Sequence, residues 1–156
     1  MRVHICAVGR LRVGPERDLL ADYLARFDRT GRPLGLGPAA VTEVDDRKGG
    51  GRAAQAALLE RAIPKGAAVL VLDERGQRLS SPDFAGLLAH WRDDGCADMA
   101  FVIGGADGLD PALRQGADVA LSFGPMVWPH MLARAMLAEQ LYRAAAILAK
   151  TPYHRV

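Results

Sequence analysis

Apolar and polar positions fall in alternating blocks along this chain. Residues 2–8 form a short apolar run ending at Gly9 and predict a first strand. Residues 15–28 place Leu20, Tyr23, Leu24 and Phe27 at helical spacing, with Pro15 suited to a first helical position. A Gly/Pro-broken stretch follows, and residues 40–44 predict a second strand. Residues 45–52 form a polar loop that holds Gly49, Gly50 and Gly51, and a helix covers about 53–63. Residues 67–73 are a strongly apolar strand that stops at a polar turn. Ser81-Pro82-Asp83 opens a helix to about Asp94, with serine as the cap. Residues 97–103 form the next strand, a short turn of helix spans 111–116, and residues 119–122 make a fifth strand. Gly124-Pro125 breaks the chain before a long helix from Pro129 to about Lys150.

Strands therefore alternate with helices, and the two strands before residues 73 and 104 are apolar without alternation. Such strands are covered on both faces, which predicts an α/β fold with a parallel sheet between helical layers. The length, 156 residues, fits one domain with a proper core. Two separated cysteines, Cys6 and Cys96, exclude a disulfide framework and a cysteine-rich zinc site, and suit a reducing, cytoplasmic setting. The first apolar run is too short for a signal peptide, and no run reaches the ~18 residues of a membrane span.

Charge changes the picture locally. The net charge is only +2, yet from Gly124 to Val156 the sole acid is Glu139, against Arg134, Arg143, Lys150 and Arg155. Only Lys48, Lys65 and Lys150 among the 20 basic residues are lysines. Arginine is the better side chain for forked phosphate contacts, and arginine-rich codon usage gives the same bias.

In open parallel sheets, ligands collect at the carboxyl ends of the strands. Three loops leave such ends: Leu72–Gly76, Ile103–Gly108 and Ser122–Trp128. Glycines let a ligand approach main chain, and the third loop adds apolar groups. An apolar slot with free backbone donors and acceptors suits a flat heterocycle such as adenine better than a phosphate. No G-x-G-x-x-G follows the first strand, no P-loop pattern is present, and His4, His90, His130 and His154 lack metal-ligand spacing. The long last helix is apolar nearly all round, which predicts burial on several sides, one of them a second subunit. The tail Pro152-Tyr153-His154-Arg155 gathers groups able to stack on a base, move a proton and hold a phosphate, although residue types alone leave a frayed end equally open.

Ile103-Gly104-Gly105-Ala106-Asp107-Gly108-Leu109, Pro129-His130, Ala138-Glu139-Gln140-Leu141-Tyr142-Arg143-Ala144 and the terminal Pro152-Tyr153-His154-Arg155 together resemble the RlmH family over the whole chain. These are ribosomal large-subunit pseudouridine N3-methyltransferases of the SPOUT class. The resemblance implies a single domain over 1–156 with a deep C-terminal trefoil knot, knot and cofactor site over roughly 67–150, and a tail at 151–156. It implies a homodimer that binds S-adenosylmethionine and no metal. The cofactor would meet Leu72, Gly104, Gly105 and the segment Phe123, Gly124, Pro125, Met126, Val127 and Trp128. The implied substrate is pseudouridine 1915 in helix 69 of 23S rRNA, on assembled ribosomes. His154 would take the N3 proton, Tyr153 would position the base, and Arg143 and Arg155 would stabilise charge or hold phosphate. His130 would orient the cofactor loop. The segment 123–128 is bulkier than in other members, and glycine largely replaces a basic loop at 47–52. Two other readings compete: a knotted methyltransferase for another RNA position, and a non-catalytic dimeric nucleotide-binding module.

Overall fold

The computed structural model describes residues 1–45 and 49–155, so part of the glycine-rich loop expected over 45–52 lies outside the described residues. Each apolar run becomes a strand: β1 (Arg2–Val8), β2 (Ala39–Val44), β3 (Ala68–Gln77), β4 (Asp98–Ile103) and β5 (Val119–Leu121). All neighbouring pairs are parallel, in the order β2-β1-β4-β3-β5. Strand β4 lies between β1 and β3 and is buried at every position, as its unbroken apolar run requires.

Four α-helices connect the strands, α1 (Pro15–Gly31), α2 (Gly51–Ala62), α3 (Ser81–Asp93) and α4 (Pro111–Gln115), and α5 (His130–Leu148) follows β5. One face of the sheet buries Ile5, Phe101 and Leu70 with Phe27, Leu88, Leu137 and Leu141 from α1, α3 and α5. The other buries Cys6, Val71 and Val102 with Leu59 of α2 and Leu113 of α4. Period-two alternation along the strands thus splits the core into two layers.

Two expectations need correction. Strand β3 does not stop at the polar turn after Leu72. It breaks register at Asp73–Gly76 and rejoins the sheet where Gln77 pairs with Leu121 of β5. The cap of α3 is Ser80 and not Ser81, because the Ser80 hydroxyl accepts the Asp83 N–H. Ser81 Oγ instead donates to Gln140 Oε1 at 2.8 Å, joining α3 to α5.

Arg134 has a role that a count of charges does not show. It counted among the C-terminal cations, yet its side chain is 0% exposed. From α5 it reaches the carboxyl end of β1: Nη2 donates to the carbonyls of Val8 at 2.9 Å and Gly9 at 3.0 Å. Nη1 donates to Glu43 Oε2 on β2 at 2.9 Å. Burial pulls the guanidinium below its ordinary range, and Glu43 opposes the shift. Removing one partner of a buried pair leaves the others unsatisfied, so Arg134→Met lowers stability by about 3 kcal/mol. The readout is a lower denaturant midpoint at constant slope; an unchanged midpoint contradicts the assignment.

At the opposite edge of the sheet, Asp98 accepts from Arg2 Nη2 and pairs with His4 Nε2, both at 2.7 Å. The Arg2 hydrogen bond, then that of His4, holds the Asp98 carboxyl below its usual range. A depressed folded-state pKa stabilises above the unfolded value of ~4 and is lost as pH falls through the folded one. Acid therefore lowers the Tm of the parent more steeply below pH ~4 than that of Asp98→Asn. Parallel curves would exclude this contribution.

Candidate active site

The three glycine-bearing loops converge. Leu72–Arg75, Ile103–Leu109 and Phe123–Trp128 line one cavity of about 420 Å³, closed on the far side by His130 and Ala133 of α5. That volume lies within the range of small-molecule sites. Its mouth carries Met126 at 70%, Val127 at 84% and Trp128 at 40% exposure. Pro125 is exposed on the same loop but does not line the cavity.

Each loop is held from below. Gly76 lies so close to β5 that a Cβ would sit 2.5 Å from the Ala120 carbonyl oxygen. Only glycine lets β3 leave and rejoin the sheet there, and the bulge so formed presents Leu72 to Arg75 to the cavity. Gly104 is similarly close to its own loop, with a Cβ 2.8 Å from the Gly108 carbonyl carbon. Gly108 and Gly124 have positive φ, 77° and 108°, and nothing within 4 Å of a would-be Cβ, so main chain faces open space. The Ser122 hydroxyl ties β3 to the third loop: it lies 3.0 Å from the Glu74 carbonyl and accepts the Gly124 N–H at 3.0 Å.

Asp73 adds charge. Its side chain is 5% exposed and accepts from Arg75 Nε at 3.0 Å and the Arg75 backbone N–H at 2.9 Å. Burial alone would raise this carboxyl, but hydrogen bonds from Arg75 outweigh it and hold the group below its usual range. Asp73 is therefore a fixed carboxylate, held by Arg75, on a surface where Arg52, Glu74, Asp107 and His130 are interspersed with glycines and apolar side chains.

The tail forms a second cluster, organised by Glu139. Glu139 Oε1 accepts the Tyr153 hydroxyl at 2.9 Å and Arg143 Nε at 3.0 Å, with Arg143 Nη2 at 2.5 Å. The Arg143 guanidinium lies over the Tyr153 ring at 4.8 Å, and Nη1 is 3.4 Å from His154 Nδ1. The Tyr142 and Tyr153 rings pack with centroids 4.4 Å apart. Burial, then the hydrogen bond to Glu139, pushes the Tyr153 phenol well above its ordinary range, so it remains a donor. Arg155 is exposed at the end of this cluster.

The structure thus gathers Leu72, Gly104, Gly105, Phe123, Gly124, Met126, Val127 and Trp128 around one cavity, and Arg143, Tyr153 and His154 around Glu139. None of Arg143, Tyr153, His154 and Arg155 lines that cavity. A second cavity of about 450 Å³ lies between α3 and α5; Glu139 borders it, and it shares Leu121, Phe123 and Gly124 with the first. Sequence reasoning placed Asp73 and Gly76 in a ligand loop and Glu139 in a family motif, but gave none of the three a role of its own. Signals existed for two: a glycine interrupting the polar end of a strand, and a single acid in a basic segment. Among the described residues no group of three or more His, Cys, Asp or Glu could hold a metal ion, and no helix is long and apolar enough to cross a membrane.

Comparison with known proteins gives this geometry its setting. A family profile described as "Predicted SPOUT methyltransferase" matches residues 1–154. The chain is 72% identical over 156 residues to Ribosomal RNA large subunit methyltransferase H of Dinoroseobacter shibae, covering all of both chains. It is 71% identical over 155 residues to the protein of the same name from Roseobacter denitrificans, covering 99% of each. Among solved structures, a probable methylase family protein from Haemophilus influenzae aligns with 99% of this chain and 70% of its own, at a TM-score of 0.55 and 12% identity, which speaks to the fold alone. The parallel α/β sheet, the loops gathered at its carboxyl edge and the match across nearly the whole chain place this protein in the SPOUT methyltransferase family.

Proposed function

We propose that the protein is a cytoplasmic, homodimeric methyltransferase that uses S-adenosylmethionine to methylate N3 of pseudouridine 1915 in helix 69 of 23S rRNA on assembled ribosomes. The observation that carries the reading is the convergence of Leu72, Gly104–Gly105 and Phe123–Trp128 on one cavity, with the tail held on Glu139 through Tyr153. The relatives named for large-subunit ribosomal RNA support the substrate class. The RlmH-like Pro152-Tyr153-His154-Arg155 terminus supports the nucleotide. The SPOUT class supports a trefoil knot in the C-terminal part of the chain.

The residues present fit the cofactor. Exposed Trp128 and Met126, with the open main chain of Gly108 and Gly124, suit a flat heterocycle. When bound, S-adenosylmethionine supplies an electrophilic methyl group on its sulfonium. The protein's own task is then alignment and proton removal.

Pseudouridine N3 is an imide nitrogen and must lose its proton before it attacks. Tyr153 is a poor acceptor for that proton, because its phenol is held in the donor form on Glu139. In this reading His154, next to it, takes the proton. Arg143 and Arg155 stabilise the charge that develops on the flanking oxygens. The tail lies against Glu139 of its own chain and not in its own cofactor cavity, which supports a site completed across two subunits. Exposed Met126, Val127 and Trp128 supply apolar surface for such an interface.

The test incubates the protein and S-adenosylmethionine with ribosomes that lack the modification and, in parallel, with protein-free rRNA, and weighs helix 69 fragments. The expected result is one added methyl on the pseudouridine fragment, from ribosomes only. Absence of that gain with the cofactor still bound contradicts the reading and favours the non-catalytic module; a gain elsewhere favours another RNA position. His154→Ala lowers turnover by about 10²–10⁴-fold at unchanged cofactor affinity; parent-rate turnover across pH removes His154 as the base. Glu139→Gln lowers turnover by roughly ten- to a hundredfold, the scale of one charge-assisted hydrogen bond. A variant with parent kinetics would show that Glu139 does not position the tail.

A further inference from the structure

We propose that the loop leaving β1 grips the RNA backbone beside the cofactor cavity, with Arg10 and Arg12 as its phosphate contacts. This rests on the RNA-methyltransferase reading and adds where the substrate lies on the protein.

The loop is held rigidly from two sides. Arg134 binds the carbonyls of Val8 and Gly9, and the Leu11 N–H donates to the Glu43 carboxylate that also receives Arg134. The Leu11 side chain is buried with Leu20 and Ala138, and Met131 packs against them. With Leu11 turned inward, its neighbours Arg10 and Arg12 are both exposed.

These two arginines differ from the arginines that brace the fold. Arg2, Arg75, Arg134 and Arg143 each sit on a carboxylate, those of Asp98, Asp73, Glu43 and Glu139. Among the described residues neither Arg10 nor Arg12 has such a partner, and nearby Glu43 is already engaged. Val13, next along, is 86% exposed. Two unneutralised guanidinium groups and an apolar tip on a braced loop match a phosphate chain with sugar alongside.

Position completes the argument. The loop leaves the carboxyl end of β1, the edge from which the cavity loops also leave. It touches Met131, the neighbour of cavity-lining His130, and Arg52 is a further cation lining that cavity. A net charge of +2 gives little attraction for RNA by itself, so binding has to come from local clusters of this kind.

The experiment compares Arg10→Ala/Arg12→Ala with the control Arg29→Ala/Arg32→Ala. The control removes the same charge from exposed sites at the other end of α1, about 25 Å away along the helix. Binding to modification-free ribosomes is measured against salt, with cofactor affinity, Tm and mass by light scattering recorded in parallel. The loop variant is expected to bind about tenfold or more weakly, with a salt slope reduced by roughly one and a half, and with unchanged cofactor affinity, Tm and mass. The control is expected to match the parent. Parent-like affinity and slope in the loop variant, or equal loss in both variants, overturns the proposal. A change of mass in the loop variant also overturns it, making the loop a contact between protein chains. If the parent binds ribosomes but methylates nothing, the enzymatic reading fails while the contrast between variants still decides the loop.

Discussion

A single buried guanidinium fixes how this molecule is assembled. Arg134 projects from the second turn of α5 and takes the carbonyls of Val8, the last residue of β1, and Gly9, just beyond it, together with the Glu43 carboxylate of β2. Those carbonyls lie where a parallel strand ends and has no further ladder partner, so they need a donor. The remaining packing of α5 supports the same placement. Leu137, Ala138, Leu141, Ala144 and Ala145 follow Arg134 at helical spacing and are all buried, and the alanines let α1 and α3 approach closely. Because α5 begins at His130, fixing Arg134 also fixes where the segment 123–129 meets the other two cavity loops.

The same helix links the two halves of the candidate site. Its first turn closes the loop-lined cavity, and Glu139, further along, holds the tail that returns after Lys150. One element therefore sets the distance between cavity and tail, and that distance keeps the tail of a single chain outside its own cavity. The helix was expected to be buried on several sides. Within one chain α1, α3 and the sheet already cover much of it, while exposed apolar surface gathers on the loop just before it.

Much of this was legible because it depends on local pattern. Unbroken apolar runs at β3 and β4 marked buried parallel strands, and glycines after strand ends marked the three loops. What stayed hidden depends on tertiary pairing. Arg134 counted only as one of the cations after Gly124, because nothing local shows that its helix position faces two carbonyls and a carboxylate distant in sequence. Glu139 stood out only as a lone acid, since its partner Tyr153 arrives through the fold of the tail. The second half of β3 is polar, and its pairing is settled by the close approach of Gly76 to Ala120, which no periodicity encodes.

The most direct measurement is a crystal structure of the protein with S-adenosylmethionine. The account predicts the adenosine against Phe123–Trp128 and the Gly104–Gly105 main chain, near Leu72 and Asp73, with the tail of a second subunit reaching that cavity. A cofactor seated instead in the cavity between α3 and α5, or bound with no tail in reach, would contradict it.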